Sequence, residues 1–147
     1  MALARTEDVM DLADALGTCA DSMQANLMKR IRAGEISPAE ARDAFDVAVH
    51  LRQTANRLYL DAAERIVTDL AAPQDALLET VKTAQERMEE IRKIGLVMEM
   101  ASNMLALATA VHTRKPKLIL AALKEMRSDL KRWDDEEGAE EQGTSSA

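Results

Sequence analysis

The sequence predicts an all-α fold: an elongated antiparallel helical bundle of three long helices and one shorter helix, with a disordered acidic C-terminal tail. Two observations carry most of this. Alanine supplies 26 of the 147 residues, leucine 17 and methionine 9, while aromatic residues make up only 2%. With 5 glycines and 3 prolines, the chain lacks the turn, aromatic and β-branched content of a sheet protein. Second, apolar residues recur at spacings of three and four along most of the chain, as an amphipathic helix requires.

The first helix is expected to start near Thr6, with Thr6 as its cap and Glu7 and Asp8 at the positive end of its dipole. Val9, Leu12, Leu16, Cys19, Ala20, Met23, Leu27 and Ile31 form its apolar stripe. Lys29, Arg30 and Arg32 suit its C-terminal end, and Gly34 is its natural stop. Gly17 is either an exposed cost or a point of close packing. The second helix opens on Ser37-Pro38-Ala39-Glu40, a capping box with proline at the first helical position. Its face, Ala44, Ala48, Leu51, Ala55, Leu58, Ala62 and Ile66, carries the expected helix to about Leu70. After Pro73 the stripe Leu77, Val81, Ala84, Met88, Ile91, Gly95, Met98, Ser102 and Leu105 alternates steps of four and three. That predicts one helix from 74 to about 113 with a supercoiled or bundle seam. The fourth helix begins at Pro116 and ends near Trp133.

Charge divides the chain. The net charge of −7 comes from 19 basic and 26 acidic residues. Six of those acids lie in 134–147, so residues 1–133 are nearly neutral. The expected organisation is one bundle domain, 1–133, and a solubilising tail, 134–147. The single cysteine excludes an intramolecular disulfide and a cysteine-rich zinc site. No secretory signal is evident near the start, and a cytoplasmic location is expected.

Residues 94–111 are apolar on nearly every side. A membrane span is the first rival reading, and Glu99, Ser102 and Asn103 near the middle argue against it. The expectation is a two-sided helix. One side meets the chain's own helices, and Met98, Met100, Met104, Leu105 and Leu107 form an interaction seam for a second copy or a partner. A homo-oligomer, with a dimer as its first candidate, follows from that reading.

The chemistry of an active site is missing from the sequence. His50 shares a face with Asp46, but a helical di-metal site needs Glu-x-x-His pairs, which do not occur. Cys19 lies on an apolar stripe and reads as buried and inert. Glu99 reads as an acid paired with Arg, Lys or Ser at an interface. No metal, no cofactor and no catalytic residue is expected. The expected function is a non-enzymatic helical interaction protein: an adaptor, chaperone-like or assembly component. The alternative is an oligomeric nucleic-acid-associated regulatory or packaging protein that uses Lys124, Arg127 and Lys131 on one face of the last helix.

Overall fold

The computed structural model describes residues 1–145, with side chains as far as Asp134. It contains five α-helices: α1 (Thr6–Arg32), α2 (Pro38–Leu60), α3 (Gln74–Glu90), α4 (Ile94–His112) and α5 (Pro116–Ser145). A 3-10 turn, Ala62–Glu64, follows α2. The all-α class stands. The division into three long helices and one short one is corrected at two places, where the expected second helix ends ten residues early and the expected third helix splits in two.

Local chemistry explains the ends that the sequence places well. The residue before α1 is Arg5, so Thr6 is the first helical residue and not the cap. Asp8 does the capping from inside: its carboxylate accepts the Arg5 amide at 3.3 Å and the Arg5 guanidinium at 3.1 Å. At the other end Gly34 has φ +72, its amide donates to Ile31 O, and the Glu35 amide donates to Arg30 O. This is the paired-bond ending for which glycine's left-handed backbone is suited. The Ser37 hydroxyl accepts the Glu40 amide at 3.1 Å, with Pro38 at the first position, so α2 starts where expected. Arg114, at φ 54, ends α4 by the same geometry as Gly34, two residues before Pro116.

The two early breaks are tertiary in origin. Nothing in Asp61-Ala62-Ala63-Glu64-Arg65-Ile66 forbids a helix. A straight continuation would not bring the Val67 amide to Leu3 O or Ala72 O to the Ala2 amide. The chain turns instead, and Ala62, Val67 and Leu70 are all buried. The N-terminal residues hold the turn in place. The Val67 amide donates to Leu3 O and the Ala2 amide to Ala72 O, while Gln74 Oε1 accepts the Leu3 amide. Ala2 and Leu3 are fully buried there, with Leu3 at φ 60.

The break between α3 and α4 has no proline at all. Three residues, 91–93, form the corner. A helix end leaves carbonyls without intrahelical donors, and α1 supplies donors for these. Asn26 Nδ2 donates to Met88 O at 2.7 Å and to Ile91 O at 2.8 Å. Arg30 donates to Glu90 O at 3.4 Å and to Asn26 Oδ1 at 3.0 Å. Arg30 also reaches Glu35 at 3.2 Å. Asn26 and Arg30 are both buried.

Cross-helix bonds give the directions. Gln74 meets Asp8, Cys19 meets Val81, and Asn26 meets Met88, so α1 and α3 run parallel. Asn103 meets Asp129 and Glu99 meets Arg132, so α4 and α5 run antiparallel. Successive helices alternate up and down, yet some spatial neighbours are parallel, which corrects the purely antiparallel bundle. Around the bundle the order is α2, α1, α3, α5, α4 and back to α2, and α4 touches each of the other four. The most apolar helix is therefore one that contacts all the others. α5 passes Trp133, the expected end, without interruption. The disordered acidic tail expected at 134–147 is corrected as far as Ser145, where α5 continues as helix; residues 146–147 lie outside the described residues.

Candidate interaction surface

α4 divides into two faces. Val97, Met100, Ala101, Met104, Leu107, Ala108, Ala110 and Val111 are buried among the other helices. Three of the five seam residues named from sequence, Met100, Met104 and Leu107, have no exposed surface and belong to the chain's own core. Met98 and Leu105 are half-buried and pack against the core's edge. Gly95, Ser102, Ala106 and Thr109 are exposed. With Met98 and Leu105 they make one outward stripe at helical spacing.

The regular pattern read from sequence changes partner at the corner. Leu77, Val81, Ala84, Met88 and Ile91 are all buried. Gly95, Met98, Ser102 and Leu105, which continue the same spacing, look outward or sit at the edge. The corner reorients the chain, and α4 buries the opposite side of its cylinder.

Charge on the outward stripe is slight. Glu99 lies on the side toward α5, where Arg132 donates to it at 2.5 Å. Arg132 also lies 3.4 Å from Asp129, which accepts from Asn103 Nδ2 at 2.5 Å. Asp129 is only 4% exposed. The four residues tie α5 to one flank of α4, in keeping with Glu99 as an acid paired with arginine. Beyond them Asp134 pairs with Arg87. Between these two contacts Trp133 is buried, and its indole N–H has no partner among the described residues.

The basic face of α5 is less uniform than its sequence implies. Lys124, Arg127 and Lys131 are exposed. Arg127 Nε, however, donates to Thr80 Oγ1 at 3.1 Å, across a groove of about 330 Å³ lined by Ala76, Glu79, Thr80, Thr83, Arg127 and Leu130. The Thr80 hydroxyl donates in turn to Ala76 O at 2.9 Å, which fixes its lone pairs toward Arg127. Glu79 lines the same groove, so an acidic residue shares the surface around the central member of the basic triad.

The remaining reactive side chains do not converge. Among the described residues no three His, Cys, Asp or Glu side chains are grouped to hold a metal. His50 is exposed on α2, and the buried Nδ1 of His112 has no partner among the described residues. Cys19 is fully buried, 3.8 Å from Val81 O. Burial pushes its thiol up to about 12. A nucleophile requires the thiolate, so Cys19 is suited to packing.

Two features that position this surface escaped the sequence reading. Asn26 and Arg30 lie beside the apolar stripe of α1, and a polar residue there reads as solvated. Only the arrival of the α3 terminus gives them partners. The N-terminal hook at Ala2–Leu3 is too short for any periodicity. No family model matches the chain, and no curated protein or solved structure is significantly similar to it.

Proposed function

We propose that this chain is a non-enzymatic helical interaction protein, an adaptor, chaperone-like or assembly component acting by self-association and partner binding in the cytoplasm. One observation carries the reading. The outward stripe of α4, formed by Gly95, Met98, Ser102, Leu105, Ala106 and Thr109, is uncharged and lies on the most apolar helix of the chain. Small residues along it let another helix approach closely, and Met98 and Leu105 supply apolar area at its edge. α4 is long and apolar enough to cross a membrane by length and composition. Its burial against four other helices supports a bundle helix with one free side.

Substitution distinguishes the surface from the core. Met100, Met104 and Leu107 are unsuitable probes, because a charge there disrupts packing. Met98→Asp and Leu105→Asp place charge at the edge instead. Light scattering on a sizing column is expected to show loss of the wild-type assembly with helicity retained. If both variants keep the wild-type mass and partner binding, the stripe is not the interface. The nucleic-acid alternative is supported by the exposure of Lys124 and Lys131 and weakened by the acidic Glu79 in the groove that Arg127 lines. It requires salt-sensitive binding that falls when all three bases are neutralised.

A further inference from the structure

We infer that two copies of this chain exchange their α4–α5 hairpins, opening at residues 91–93 so that each hairpin fills its partner's bundle. The inference rests on the self-association proposed above and gives it a route separate from the outward stripe of α4, which the exchange leaves uncovered.

The corner holds a chain that is otherwise able to be straight. Residues 88–94, Met-Glu-Glu-Ile-Arg-Lys-Ile, contain neither glycine nor proline. In a continuous helix each carbonyl accepts from the amide four residues on. Met88 O, Glu90 O and Ile91 O would then accept from the amides of Arg92, Ile94 and Gly95. Those three carbonyls are the ones that Asn26 and Arg30 occupy. The side chains of α1 thus replace the helix bonds that the corner breaks. Straightening returns the carbonyls to their own helix, so the open form leaves none of them unpaired.

The rest of the fold permits the exchange. α3 and α4 have few contacts with each other, whereas α4 packs extensively on α2 and α5. α4 and α5 are joined by their polar network and leave together. In the folded chain α4 runs opposite to α3. In the open form it continues along α3, from Gln74 to His112, over about 58 Å. A copy related by a two-fold axis near residue 92 is inverted, so the incoming α4 enters in the direction its seat requires. Contacts of α4 with α1 and α2, and of α5 with α3, are re-formed between copies. Short connections of this kind favour exchange over refolding onto the same chain.

The test joins α5 to α3 across the moving boundary. Thr80 and Arg127 touch in the closed chain. In a Cys19→Ala background, Thr80→Cys and Arg127→Cys are linked by a short thiol-specific reagent after the full chain is refolded at high concentration. The dimer fraction is expected to give covalent dimers on a denaturing gel. Arg92→Pro should cut the dimer share about a hundredfold, because proline removes the amide that Met88 O needs in the straight form. The closed form tolerates it, since Ile91 at φ −62, ψ 126 has the backbone favoured before proline. Asn26→Leu should raise the dimer share. A dimer that yields only closed covalent monomers overturns the exchange and leaves self-association standing. A chain that stays monomeric at every concentration overturns both. Unchanged covalent dimerisation in Arg92→Pro overturns the straight-helix hinge.

Discussion

Replacing Asn26 with alanine tests the corner directly. Asn26 is 3% exposed and makes three hydrogen bonds: two to main-chain carbonyls at 2.7 and 2.8 Å and one from Arg30 at 3.0 Å. Truncation leaves two buried acceptors without donors and one guanidinium N–H without an acceptor. A buried polar group left unpaired costs about 1 kcal/mol at the low end of the measured range. The expected loss is therefore about 3 kcal/mol. For a chain of this size that lowers the melting temperature by roughly 6–12 °C. Urea unfolding followed by circular dichroism, at a concentration where the wild type is monomeric, measures it. Lys29→Ala, on the exposed side of the same turn, is the control and should stay within about 0.5 kcal/mol of wild type. A loss below about 1 kcal/mol for Asn26→Ala would mean that water or a relaxed backbone satisfies these carbonyls, and the explanation of the break would fail.

Two further predictions concern α1. A methyl group built at Gly17 meets nothing within 4 Å, so Gly17→Ala should raise unfolding free energy by roughly 0.5–1 kcal/mol; a lower melting temperature would show a close approach at that position. Cys19 tests burial through pH. Its thiol is raised from 9.0 to about 12, so the unfolded chain ionises first, and the associated stability is intact below the unfolded value. It is lost as pH rises from about 9 toward 12, at up to about 1.4 kcal/mol per unit. Wild type should therefore lose stability faster than Cys19→Ala across that range in alkaline denaturation, and parallel curves would refute the assignment.

Local chemistry was legible in the sequence wherever it acts within a few residues. Ser37-Pro38 and Glu40 start α2, Gly34 stops α1, and the stripes of α1, as far as Leu27, and of α3 are buried as their spacing requires. The apolar character of 94–111 was equally plain, and it belongs to the helix that touches each of the other four. The candidate surface was only partly legible. Met98 and Leu105 lie at its edge, while Met100, Met104 and Leu107 face inward. Periodicity reports that residues share a side of a helix. It carries no information on which neighbour that side meets.

By itself, the sequence determined the helical class, the capped start of α2, the glycine stop of α1 and the lack of any recognisable catalytic motif. These follow from propensity, capping and side-chain chemistry, all short-range. Tertiary structure decided where α2 stops, how α3 and α4 part and which side of α4 is left outward. At residues 61–73 the backbone gives up a favourable local helix to bury Val67 and Leu70 beside Ala2 and Leu3. At 91–93 it does so because Asn26 and Arg30, more than 60 residues earlier in the chain, take over the hydrogen bonds that a continuous helix would make. A terminus satisfied from across the bundle leaves no mark on its own sequence.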